Sequence, residues 1–103
     1  MTSLNALFNE GEHLPLIPSK LLRSFSFIST DPKIRSGWPH IKNTRVLVTD
    51  IFRAQVRGNT IESMVKDFKS MGIKINSEAL EEAYKFTLEW LHYLNEKEKN
   101  NTS

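Results

Sequence analysis

From Thr49 onward the apolar residues recur at helical spacing in three runs, punctuated by Gly58 and Gly72. That rhythm confines this half of the chain to three helices joined by tight turns. In the first run Ile51, Phe52, Gln55 and Val56 share a face, and Gly58 suits the left-handed residue that closes a helix. In the second, Asn59 or Thr60 is the cap, and Glu62 favours the positive end of the helix. Its core-facing stripe is Ile61, Met64, Val65, Phe68 and Met71. Asn76 or Ser77 caps the last run, Glu78, Glu81 and Glu82 suit its first turns, and Lys97 and Lys99 its end. This run carries two apolar stripes. One is Leu80, Tyr84, Thr87, Leu88, Leu91 and Leu94; the other is Ala83, Phe86, Trp90 and Tyr93. Two stripes exceed what one small core needs, so the sequence predicts self-association through the last helix.

The residues before Thr49 read differently. Phe25 to Ile28 predicts a short strand closed by the turn Ser29-Thr30-Asp31-Pro32. Gly37-Trp38-Pro39-His40 is irregular, and Arg45 to Val48 predicts a second short strand pairing with the first or with its symmetry mate. Leu4, Leu7 and Phe8 suggest a short helix or arm before Gly11, Pro15 and Pro18 break any regular element. The expected organisation is an extension over residues 1–27 packing on the body or on a second chain, a helical domain over 28–95 and a polar tail over 96–103.

With 103 residues, only one core fits. There are no cysteines, which excludes thiolate metal sites and agrees with a cytoplasmic location. No apolar run is long enough to span a bilayer, so no membrane partner is expected, and Met1 to Asn5 lacks the basic, apolar start of a secretory signal. The net charge of +2 hides an uneven distribution. Residues 25–58 carry Lys33, Arg35, Lys42, Arg45, Arg53 and Arg57 against Asp31 and Asp50, whereas residues 59–103 carry six lysines against eight acids. A basic centre is compatible with a phosphate-contacting face or with ordinary solvated surface.

Catalysis finds little support. His13, His40 and His92 share no metal-ligand spacing, and no serine or threonine sits in a glycine-framed elbow. Asp31, Asp50 and Glu62 are suitable magnesium ligands by type, but a capping role at a helix start explains Asp50. No enzyme activity and no cofactor or metal is expected.

The segment Gly37-Trp38-Pro39-His40-Ile41-Lys42-Asn43-Thr44-Arg45-Val46-Leu47-Val48-Thr49-Asp50-Ile51 resembles domain-of-unknown-function family four hundred thirty-three, small antitoxin-like proteins of the VapB type. That family's core reads G-x-P-x-I-x-G-T-R-hydrophobic-x-V-x-D-I. Gly58, Thr60, Ile61, Glu62, Val65 and Phe68 fit the middle of its pattern, and Asn76, Glu78, Leu80, Ala83 and Leu88 its closing helix. Asn43 stands where the family has glycine, and asparagine tolerates a left-handed conformation best after glycine. The resemblance implies a mainly α fold with a three-helix, helix-turn-helix-like (homeodomain-like) core preceded by one or two short β-strands. It also implies a dimer, an antitoxin role against a PIN-like ribonuclease toxin, and binding of operator DNA; the alternative is a homodimeric interaction module that never touches DNA.

On this reading Lys33, Arg35, Lys42, Arg45, Arg53 and Arg57 are the candidate DNA contacts, and Ala83, Phe86, Trp90 and Tyr93 the candidate dimer interface. Asn43, Thr44, Arg45 and Asp50 form the turn motif, in which Arg45 is expected to pair with Asp50 or to bind backbone carbonyls. Glu78, Glu81 and Glu82 at the start of the last helix oppose insertion of that helix into a phosphate-lined groove.

Overall fold

The computed structural model describes the backbone of residues 17–102 and the side chains of residues 17–97. Helix α1 is Ser19–Arg23, strand β1 Ile28–Ser29 and strand β2 His40–Ile41, with a 3-10 turn at Arg35–Gly37 between the strands. Three longer helices follow: α2 at Val48–Val56, α3 at Ile61–Ser70 and α4 at Ser77–Thr102. The fold is mainly α, with a helix-turn-helix-like trio behind a two-stranded antiparallel sheet.

The sheet pairs Ile28 with Ile41 and Ser29 with His40. Its second strand leads straight into the turn Ile41-Lys42-Asn43-Thr44, closed by the Thr44 N–H donating to the Ile41 carbonyl at 3.1 Å. Asn43 has φ 65°, so the expected left-handed residue is present without glycine. The Thr44 hydroxyl fixes the turn from both sides, donating to the Ile41 carbonyl at 2.9 Å and accepting from the Val46 N–H at 3.0 Å. The strand expected over residues 45–48 shrinks to a single bridge between Leu47 and His40, because Val48 already begins α2. The Asp50 carboxylate accepts the Leu47 N–H at 3.3 Å and so favours helix over further pairing.

Thr60 caps α3, its hydroxyl accepting from the Ser63 N–H at 3.1 Å. Asn76 caps α4, its side-chain oxygen accepting from the Ala79 N–H at 2.8 Å. Gly58 and Gly72 adopt φ 102° and 80° at the two helix ends where the sequence asks for left-handed residues. Met71, expected in the α3 stripe, caps the end of that helix and is exposed. Helix α4 runs through residues 96–102, so the expected polar tail continues the helix up to Thr102.

The core lies between α2 and α4. Leu80, Ala83, Phe86, Thr87 and Trp90 present a buried face to Leu47, Val48 and Ile51 from one side. From the other side Phe25 meets Phe86 edge-on at 5.5 Å, and Trp38 meets Trp90 at 5.8 Å. The candidate dimer interface is corrected here. Ala83, Phe86 and Trp90 are enclosed by the chain's own α1 region, Trp38 loop and α2, and Tyr93 is half-buried against the same core. The breadth of apolar surface on α4 reflects two packing layers within one chain. Ile17, Leu21, Leu22, Phe25 and Phe27 also pack on this core, so the described part of the extension, residues 17–27, lies on the body of its own chain. Leu4, Leu7 and Phe8 lie outside the described residues.

Candidate interaction surfaces

Among the described residues no cluster of His, Asp and Glu is arranged to hold a metal, and no helix is long and apolar enough to cross a membrane. Two surfaces stand out among the described residues: an apolar face and a basic trough.

The apolar face begins at Phe52, whose ring stacks on Tyr84 at 5.7 Å with an interplanar angle of 25°. One turn further along α2, Val56 is 69% exposed; on α4, Tyr84 and Leu88 are 37% and 42% exposed. Periodicity places all four on apolar faces of their helices, and of these only Phe52 is buried. The i, i+4 spacing of Phe52 with Val56 and of Tyr84 with Leu88 turns each pair toward one side of its helix. The unburied part of the last-helix stripes is therefore Tyr84 and Leu88, not the Phe86 and Trp90 side.

The candidate DNA contacts have different surroundings. Arg35 is half-buried, donates to the Arg45 carbonyl at 3.2 Å and lies 3.8 Å from the Asp50 carboxylate. The expected Arg45–Asp50 pair is thus replaced: Arg35 reaches Asp50, and Arg45 contributes its backbone while its side chain is exposed. The cause is the loop before β2. Arg35 and Ser36 take φ 47° and 59°, which folds the chain back and points Arg35 at the start of α2. Lys33, Lys42, Arg53 and Arg57 are exposed. Lys33 follows an Asp31 turn in which its own N–H donates to the Asp31 carboxylate at 2.9 Å. Of the six candidates, Lys42 alone lines either of the two clefts described next.

Those clefts meet at Lys74, Ile75 and Asn76, in the turn between α3 and α4. One, of about 410 Å³, runs from Val65 and Lys69 over Ile73 to that turn. The other, of about 390 Å³, continues past Phe27 and Ala79 to Lys42, Asn43 and Thr44. Lys69 and Lys74 fall outside the central basic segment that the charge distribution singled out, and their approach to Lys42 is a product of the tertiary fold. The acids at the start of α4 divide: Glu78 and Glu81 are exposed, whereas Glu82 accepts the Phe27 N–H at 3.1 Å and ties α4 to the residue before β1.

Residues 28–86, more than half of the chain, match the family model described as Protein of unknown function (DUF433). No curated protein and no solved structure matches the chain.

Proposed function

The chain belongs to the DUF433 family, and from that premise we propose that it is a non-catalytic, antitoxin-like regulator that holds a partner protein through the apolar face of α2 and α4. The observation that carries this reading is the exposure of Val56, Tyr84 and Leu88 beside the Phe52–Tyr84 stack. Exposed apolar side chains gathered around an aromatic stack are a common centre for a protein interface. The partner class, a PIN-like ribonuclease toxin, comes from the family resemblance. Standard interfaces use about 20–30 residues a side, so this face is an anchor that a partner must extend. Self-association through the same face is the alternative reading.

The test uses the full chain and the product of the adjacent gene. The two are expected to co-purify, and the complex to lose ribonuclease activity against single-stranded RNA. Val56→Asp with Leu88→Asp should weaken the complex by about 30-fold or more, as expected for a hot spot of about 2 kcal/mol. Both side chains are exposed, so the fold is retained. An adjacent-gene product that ignores the wild-type chain, or that binds the variant equally, overturns the reading. Sedimentation of the chain alone at twice 11.9 kDa, reverting to monomer in the variant, would assign the face to a homodimer instead.

A second reading adds operator DNA, favoured by the exposed Lys33, Lys42, Arg45, Arg53 and Arg57. Gel shift with the DNA upstream of the gene is expected to show binding that falls steeply as salt rises. Absence of a shift at low salt would remove this reading. The exposed Glu78 and Glu81 disfavour such a contact at the start of α4.

A further inference from the structure

We propose that the trough crossing the α3–α4 turn is a docking site for an acidic peptide segment of another protein, one whose carboxylates alternate with apolar side chains. It shares no residue with the apolar face, and the inference does not rest on the antitoxin reading.

Charge comes first. Lys69 arrives from the end of α3, Lys74 from the turn and Lys42 from the β-turn, and all three side chains are exposed. No carboxylate lines either cleft. Glu82 is held nearby through the Phe27 N–H. Cations brought together from three elements with no acid among them repel one another, and folding alone gives no reason to gather them. The positive helix end at Asn76 is offset by Glu78 in the first turn of α4, so the lysines carry the attraction. An anionic occupant relieves the repulsion among them.

The floor then selects the kind of anion. Val65 and Ile73 are half-buried, Ile75 and Ala79 buried, and Phe27 is half-buried at the far end. Apolar side chains under a rim of lysines give a ligand places for both aliphatic groups and carboxylates. A nucleic acid would use this surface poorly. Single strands bind through aromatic platforms with arginine support, and the trough offers one phenylalanine and no arginine.

The test is fluorescence anisotropy of the full chain with a short labelled peptide of alternating glutamate and leucine. The comparison probes are its glutamine-for-glutamate counterpart and a single-stranded oligodeoxynucleotide of equal length. The acidic peptide is expected to bind saturably, more weakly as ionic strength rises, and at least about tenfold more tightly than the glutamine peptide. Lys69→Glu with Lys74→Glu should abolish that preference, and Lys69→Arg with Lys74→Arg should keep it. If the charge reversal perturbs the circular dichroism spectrum, Lys42→Glu in the β-turn gives the same reading from another element. Equal binding of both peptides, absence of saturable binding, or tighter binding of the oligonucleotide overturns the proposal; the last result would make the trough a nucleic-acid surface.

Discussion

Trp90→Ala is expected to cost the domain about 3–5 kcal/mol, the usual range for deleting a buried aromatic side chain. Trp90 is 1% exposed and packs against two other rings, Trp38 at 5.8 Å and Phe86 at 6.0 Å. Alanine leaves a cavity where the α1 side of the core meets α4, and neither ring can follow without leaving its other neighbours. At roughly 4–8 °C per kcal/mol for a domain of this size, the thermal midpoint should fall by at least about 12 °C. Thermal unfolding followed by circular dichroism at low protein concentration reads this directly. The same substitution at an exposed dimer interface would leave the midpoint of the monomer nearly unchanged and alter only the sedimentation. Survival of the fold with an unchanged midpoint would therefore return Trp90 to the surface.

The second large effect is a contrast between neighbours. Ala83→Glu should prevent folding, whereas Tyr84→Glu, one position further on, should leave a folded chain. Ala83 is 0% exposed in the core that α4 shares with α2. A glutamate there overpacks the core, at about 1–3 kcal/mol, and buries a carboxylate that has no partner, which adds several more. At position 84 the carboxylate points to water, and only the stack on Phe52 is lost. The pair tests the rotational phase of α4 through solubility and circular dichroism. A folded Ala83→Glu variant, or an unfolded Tyr84→Glu variant, would mean that the helix presents a different face to the core.

The helices and their ends were legible because each depends on neighbours in sequence. Thr60 and Asn76 cap the helices where spacing places them, and Asn43 supplies the left-handed turn residue. What covers a stripe is another matter. Periodicity measures how much of α4 is apolar, but Phe25 and Trp38, which close over Phe86 and Trp90, lie far away in the chain. For the same reason periodicity points to Phe86 and Trp90 as the surplus apolar surface, while Tyr84 and Leu88 are the residues left uncovered. The exchange of Arg45 for Arg35 at Asp50 has a local cause that propensities miss. Two non-glycine residues in the left-handed region, Arg35 and Ser36, turn the loop toward α2. Lys42, Lys69 and Lys74 belong to three elements, and charge counted along the chain divides them between a basic centre and an acidic final third.

The hydrogen bond from the Phe27 N–H to Glu82 bears on how the chain is made. Its partners are 55 residues apart, and the ring contacts of Phe25 with Phe86 and of Trp38 with Trp90 have similarly long separations. During synthesis at about 5–20 residues per second, the early aromatic side chains wait several seconds for the helix that shelters them. Until then they have β1, β2 and the three earlier helices, but not the α4 face that carries Phe86 and Trp90. The nascent chain thus offers these aromatic residues before their shelter exists, and closure of the core waits on the synthesis of α4.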